Sequence, residues 1–331
     1  MSLILPDLED KHLQGSDKPL VTIGMPIFNA QNYLRESLEA LLNQTFSNFE
    51  LIISDNASTD NTEAICREYA KQDSRIQYYR NPKNEGGAKN FNLVFERARG
   101  DYFKWAAYDD LCAPDYIEQC LEVLEREPSV VLCYPQAKEI DADGNEVSLY
   151  TENLNLYSSK PHERFYQLLE TYGWYHATQI FGLVRTEVLK RTQMMGNYPH
   201  ADRVLLAELA ICGQFHEVPE ILFFRRIHPQ NSQQSNKTDE ELAINWFDPN
   251  NRGKLLLPRW RRYIEYCRLV WRTPLSGGER LKCYVQILRR LLLSPGFPIR
   301  IRGMVEELRK AMKLLPHFLA GLSNEQTTPH K

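Results

Sequence analysis

Residues 20–60 read LVTIGMPIFNAQNYLRESLEALLNQTFSNFELIISDNASTD, and this stretch decides the fold class. Val21 to Met25 is a short, unbroken apolar run, the pattern of a strand buried on both faces. After Asn29, residues Leu34, Leu38, Leu41 and Leu42 fall on one helical stripe. Phe49 to Ile53 is a second apolar run. It leads into the polar Ser54-Asp55-Asn56-Ala57-Ser58-Thr59-Asp60, where a helix is expected to open with Asp60 as N-cap and Glu63 completing a capping box. Strand, helix and strand at this spacing make a βαβ unit, which requires a mostly parallel sheet with right-handed crossovers. Ligands of such sheets bind beyond the carboxyl ends of the strands.

The rhythm continues outward. Ile76 to Tyr79 reads as a third strand, Gly87 to Ala98 as a third helix and Tyr102 to Ala106 as a fourth strand. Pro114 suits the first turn of a helix ending near Glu127, and Val130 to Tyr134 is a fifth strand. Past Pro135 the pattern loosens into a hairpin around Asp143-Gly144, a helix from Pro161 to Tyr172, a strand from Thr178 to Val184 and a helix from Arg203 to Cys212. From Pro258 onward only helices are expected. The division is a loose tail over 1–19, an α/β domain over 20–228 with halves 20–135 and 136–228, a polar linker over 229–257 and a helical extension over 258–331.

Composition narrows the class. The 331 residues hold 43% apolar and 25% charged side chains with a net charge of −3, which excludes disordered and collagen-like chains. Seven cysteines, none spaced C-x-x-C, speak against a disulfide framework or zinc knuckle and for a reducing, cytoplasmic setting. Leu3-Ile4-Leu5 before Pro6 is too short for a secretory signal, and no run approaches the roughly 20 apolar residues of a membrane span. Charge is segregated: residues 252–313 carry sixteen Lys or Arg against four Asp or Glu, and the remainder carries 24 against 39. Within the basic region, Pro258 to Ile264 and Ile287 to Leu293 mix cationic with apolar or aromatic residues at helical spacing. Such helices either lie on an anionic membrane surface, making the protein peripheral there, or pack on the α/β domain or a second subunit of a homo-oligomer. No base-reading module accompanies the charge, so a nucleic-acid partner is not expected.

Neither G-x-G-x-x-G nor a P-loop occurs, which disfavours dinucleotide dehydrogenases and P-loop NTPases. The strand ends carry acid instead. Asp109-Asp110 follows the aromatic fourth strand, and paired hard oxygens there suit Mg²⁺ or Mn²⁺ bound together with substrate phosphates, or else cap the next helix. Asp55 either accepts the imide or lactam N–H of a nucleobase or closes an Asx-turn in its own loop. Asp141-Ala142-Asp143 is a second D-x-D, but Gly144 and Asn145 mark it as a turn. Asp202 lies at the mouth of a late helix.

Four segments in order, Thr22-Ile23-Gly24-Met25-Pro26-Ile27-Phe28-Asn29, Ser54 to Asp60, Asn84-Glu85-Gly86-Gly87-Ala88-Lys89-Asn90, and Asp109-Asp110 with Pro114, resemble the family 2 glycosyltransferases of GT-A fold. The resemblance is strong over about 20–135 and extends more weakly through Gly182 to Leu189, Asp202 to Phe215 and His228. It implies an inverting transfer of a sugar from a nucleoside diphosphate sugar, a UDP-sugar favoured, to a saccharide or lipid-linked acceptor hydroxyl. It further implies that Pro26, Phe28, Asn29, Asp55, Lys89 and Asp109 bind the nucleotide, with Phe28 stacking on the base. Asp109, Asp110 and His228 would hold Mn²⁺ or Mg²⁺, and Asp202 would be the catalytic base. His228 otherwise reads as a surface-loop histidine, and His176 as a packing or acceptor-side residue.

Two departures stand out: Ala107 replaces the first acid of the longer D-x-D-D form, and Ala201 replaces a frequent glutamate before the base. A non-catalytic relative serving as a membrane or assembly partner would account for Ala107. A sugar-1-phosphate nucleotidylyltransferase would need a glycine-rich basic loop after the first strand, which Pro26 to Tyr33 does not supply.

Overall fold

The computed structural model describes residues 18–150, 154–171, 178–229, 246–251, 257–293 and 297–325. The first half alternates β1 (Val21–Ile27), α1 (Leu34–Leu42), β2 (Phe49–Asp55), α2 (Thr62–Gln72), β3 (Ile76–Arg80), α3 (Gly87–Glu96), β4 (Tyr102–Trp105), β5 (Leu111–Cys112) and α4 (Tyr116–Arg126). It continues through β6 (Val130–Ile140), β7 (Glu146–Tyr150), α5 (Pro161–Thr171), β8 (Leu183–Arg185), the single turn α6 (Thr186–Leu189), α7 (Ala201–Cys212) and β9 (Gln214–Arg226). Three helices follow: α8 (Pro258–Arg272), α9 (Gly277–Leu292) and α10 (Phe297–Glu325).

One nine-stranded sheet runs β3-β2-β1-β4-β8-β6-β9-β5, with β7 paired to β6. The four strands β3-β2-β1-β4 are mutually parallel, as the βαβ spacing predicts. Strand β8 is antiparallel to both β4 and β6, while β6 and β9 pair in parallel. Period-two alternation divides the buried residues between the two faces. Val21, Ile23, Met25 and Ile27 pack with Leu34 and Leu38 of α1, Ile65 of α2 and Ile117 and Leu121 of α4. Ile52, Phe103 and Trp105 point the other way, to Val94 of α3, Phe165 of α5, Leu205 of α7, Leu269 of α8 and Ile287 of α9. Burying one such large side chain contributes on the order of 2–3 kcal/mol. Gly24 allows close approach on that second face, where a Cβ would come within 2.6 Å of the Phe103 ring and 2.7 Å of Val94.

Several local expectations change. The capping box does not form: Asn61 is the N-cap of α2 and makes no side-chain cap bond. Asp60 instead accepts from Thr62 N and Gln31 N, because the facing β1 loop needs an acceptor, and Glu63 pairs with Arg67 and Arg80. Pro114 precedes α4 by two residues rather than sitting in its first turn. The strand expected over Thr178 to Val184 is a 3₁₀ turn at Thr178–Phe181 followed by β8. The reason is tertiary: the Phe181 carbonyl accepts from both Lys104 Nζ and Tyr116 Oη, and a strand would have committed it to a ladder. The Asp141-Ala142-Asp143 copy is a turn, with Gly144 at φ +89° and Asp141 Oδ1 accepting from Asp143 N and Asn145 N.

The basic helices pack on the α/β layers. Arg272 of α8 forks onto the buried Glu208 of α7 with bonds of 2.9 and 2.6 Å. Glu279 at the start of α9 meets His162 Nδ1 at 2.7 Å, Arg290 reaches Glu170 at 3.1 Å, and Arg259 of α8 binds the buried Glu307 of α10. The proposed linker falls largely, and the N-terminal tail almost wholly, outside the described residues.

Candidate active site

The parallel register places three residues side by side at the carboxyl rim: Ile27 of β1 pairs with Asp55 of β2, which pairs with Arg80 of β3. Asp55 is fully buried, and both its oxygens are engaged. Oδ1 accepts from Ser58 N at 2.8 Å, which is the turn reading of this residue, and Oδ2 accepts from Tyr78 Oη and Arg80 Nη1 at 2.7 Å each. Asp55, Arg80 and Tyr78 therefore form one polar floor, and Phe28, the residue after β1, is 43% exposed.

The loops around this floor are stitched together by short polar side chains. Asn29 N donates to Ser58 Oγ while Asn29 Oδ1 accepts from Thr59 N, and Ala30 N donates to Thr62 Oγ1. Buried Asn90 accepts from Ser54 Oγ and donates to the Ser54 carbonyl, and Asn56 Oδ1 accepts from Glu85 N. These bonds hold the Asn84-to-Lys89 segment and the start of α3 against the strand ends. Lys89 is largely exposed and pairs with Glu85 at 2.7 Å. Asn29 and Ala57 both sit at positive φ, +49° and +62°, so the loops that carry the site also carry backbone strain.

The second cluster arises because β5 folds back on β9. Leu111 pairs with Phe224, and this register brings Asp109-Asp110 beside Arg226 and His228. His228 Nε2 lies 2.9 Å from Asp109 Oδ2, with side-chain exposures of only 1% and 9%. Asp110 does not join them; its Oδ1 accepts from Arg226 N at 2.9 Å. Burial first, then the neighbouring Asp109, pushes the Asp110 carboxyl up to about 8. Arg226, itself buried, donates to the Asp109, Asp141 and Ala142 carbonyls and to Glu36, with its guanidinium 4.8 Å over the Tyr33 ring. Tyr33 in turn lies 4.5 Å from the His228 ring.

Asp109 and His228 together offer one hard oxygen and one imidazole nitrogen, a donor pair that fits Mg²⁺ or Mn²⁺, whose remaining positions are taken by water and phosphate oxygens. Among the described residues no three His, Cys, Asp or Glu side chains converge as a closed metal cage. The three-residue set Asp109, Asp110 and His228 is thus narrowed to two that meet and one that is turned to the backbone.

Asp202 stands in the first turn of α7, partly buried, its Oδ1 accepting from Arg203 N at 2.9 Å. The residue two before it, His200, is at φ +68°. The loop leading to it is tied across the rim, since Met195 N donates to Asn92 Oδ1 of α3 and Asn197 Nδ2 donates to Asp248. Trp246 lies flat against Gly87, where a Cβ would come 2.9 Å from its ring, and edge-on to Phe91 at 6.3 Å.

Of the residues the sequence points to, Pro26 lies within β1 opposite Ser54 and Asp55 ends β2; Phe28, Asn29, Asp109 and Asp110 stand in loops, Lys89 and Asp202 in the first turns of α3 and α7, and His228 just past β9. His228 is a buried partner of Asp109 rather than a surface-loop residue. Arg80, Tyr78, Tyr33, Arg226 and Trp246 were missed. Arg226 had one available signal, a cation ending an apolar strand next to His228; Trp246 had none, since its contacts are made far away in sequence. His176 lies outside the described residues.

The family model for glycosyl transferase family 2 matches residues 22–192. An uncharacterized glycosyltransferase of Haemophilus influenzae is 34% identical over 133 residues, covering 40% of this chain and 53% of that protein. Chondroitin synthase of Escherichia coli is 33% identical over 130 residues, 39% of this chain and 19% of its own length. The chain thus spans about half, or less, of the length of these relatives. Among solved structures, S. aureus TarS 1-349 in complex with UDP-GlcNAc superposes with a TM-score of 0.59 at 15% identity, covering 87% of this chain and 79% of that one. TarS 1-349 without that ligand gives 0.57 at 15%, covering 83% and 72%. At such identity the likeness is one of fold.

Proposed function

The chain belongs to glycosyl transferase family 2, and on that premise we propose that it transfers a sugar from a nucleoside diphosphate sugar to a hydroxyl acceptor with inversion at the anomeric carbon. The observation that carries this reading is the buried Asp109 and His228 pair, 2.9 Å apart, held by β5 and β9 on the same domain as the Phe28 and Asp55 rim. One location suits a base, the other a charged diphosphate.

In this reading Phe28 supplies a stacking face for the base, backed by Pro26 and oriented by the Asn29 bonds to the Ser58 loop. Asp55, buried, acts through Arg80 and Tyr78, which it holds and which meet the polar edge of the base, and Lys89 leaves Glu85 for the diphosphate. A UDP-sugar is the favoured donor; TarS, of the same fold, has been solved with UDP-GlcNAc. Mn²⁺ or Mg²⁺ would be held by Asp109 and His228, with Asp110 behind them, and when bound it neutralises charge developing on the departing diphosphate. Asp202 takes the proton from the acceptor hydroxyl as it attacks the face opposite the leaving group, as inverting enzymes activate water. The acceptor is a saccharide or lipid-linked saccharide. By domain, 20–228 carries this chemistry and 258–331 supports it.

The test is product analysis. Incubated with a panel of UDP-, GDP- and dTDP-sugars and a saccharide acceptor, the protein should give a product of inverted anomeric configuration by NMR. Asp202→Asn should cut turnover by about 10²–10⁴-fold while leaving donor affinity unchanged. Full turnover in that variant removes Asp202 from the chemistry. No transfer or donor hydrolysis with any sugar favours the non-catalytic reading that Ala107 and the basic C-terminal region motivate.

A further inference from the structure

Helix α9 is apolar on two opposite faces. Cys283 and Ile287, flanked by Tyr284 and Leu291, are packed into the molecule. On the other side Leu281, Val285, Leu288 and Leu292, at helical spacings of four, three and four, form one stripe that is 66%, 50%, 55% and 49% exposed. Leu293 extends it at 78% exposure. Trp271, at the end of α8, is 72% exposed, and Arg280, the neighbour of Leu281, places its guanidinium 5.7 Å over the Trp271 ring.

A solvated helix face would carry polar residues here; a continuous stripe of this kind marks a contact surface. Its border decides the occupant. Lys282 and Arg289 run along one flank of the stripe, both exposed, Lys282 paired with Glu279 at 3.0 Å and Arg289 lying 4.4 Å over the Tyr166 ring, inside a region with sixteen basic and four acidic residues. Two such faces pressed together would bring like charges to the rim, whereas an anionic lipid surface supplies the opposite charge. Among the described residues no helix is long and apolar enough to cross a membrane, so the contact is one that lies on the bilayer.

We propose that the Trp271, Leu281, Val285, Leu288, Leu292 and Leu293 face is a membrane-docking surface for an anionic bilayer. The leucine stripe enters the boundary between headgroups and acyl chains, Trp271 sits at headgroup level, and Lys282, exchanging Glu279, and Arg289, exchanging the Tyr166 ring, reach lipid phosphates with their stems along the apolar stripe. The residues of this surface are distinct from Asp109, His228 and Asp202, and the proposal does not depend on the sugar chemistry proposed above.

The experiment is flotation of the full chain with vesicles of phosphatidylcholine alone or with one-third phosphatidylglycerol. The protein should float with the anionic vesicles at least ten-fold more than with the neutral ones, and tryptophan emission should shift to the blue, a shift that Trp271→Phe reduces. Leu281→Ser, Val285→Ser, Leu288→Ser and Leu292→Ser combined should abolish flotation with melting temperature and circular dichroism retained, since all four side chains are exposed. Equal flotation on both vesicles, no flotation, or a dimer in solution that the quadruple variant converts to monomer would each overturn the proposal.

Discussion

Ala57 occupies φ +62° in the loop between Asp55 and Ser58, a left-handed conformation that costs an L-residue about 1 kcal/mol. Ala57→Gly should therefore raise stability by roughly that amount in urea unfolding. Unchanged stability would mean that the loop relaxes without strain. Arg226 makes the opposite case: its backbone N–H donates to Asp110 Oδ1, and its side chain fixes the Asp109 backbone, the 141–142 turn and Tyr33. Arg226→Gln should lower Mn²⁺ affinity about 10–100-fold, as loss of outer-sphere support does, with a smaller effect on nucleotide binding in the absence of metal. At this scale the acids were legible in the sequence because each stands at a strand or helix end. What holds them was not: Tyr78, Arg80 and Arg226 act through partners 23, 25 and 117 residues away.

At the scale of elements, β1, β2 and α1 follow directly from runs and stripes that local periodicity exposes. Failures occurred where a partner elsewhere in the chain competed for a local bond. Asp60 was drawn from the capping box by Gln31, and the Phe181 carbonyl from a strand by Lys104 and Tyr116. The start of α9 offers a measurable anchor. Glu279 is held down to about 2 by its hydrogen bond to His162 first and Lys282 next, against an ordinary value of 4.5. Because the folded value is depressed, the stabilisation is complete above about 4.5 and fades as the pH falls toward 2. Its partial solvent exposure reduces the contribution to about 1 kcal/mol. Glu279→Gln should remove that much stability at pH 7 and flatten the acid limb of the unfolding curve between those limits; parallel curves for the two proteins would show that the pair does not anchor the helix.

Across the whole molecule, a catalytic-type sheet with acidic loops is joined to a basic helical cap. The charge segregation was plain from sequence, and it left open whether the cap lies on a membrane or packs on the sheet domain. In the structure one side of α9 is buried and the other carries an exposed apolar stripe. The central claim concerns the rim, where Asp109 and His228 meet. It is tested most directly by the melting temperature of the full chain with UDP, with and without Mn²⁺, for the wild type, Asp109→Ala and His228→Ala, because a ligand that binds the folded state raises apparent stability. The wild type should gain several degrees from Mn²⁺ and UDP together beyond either alone, and both variants should lose that joint gain while still melting cooperatively. An undiminished joint gain in either variant would contradict the account.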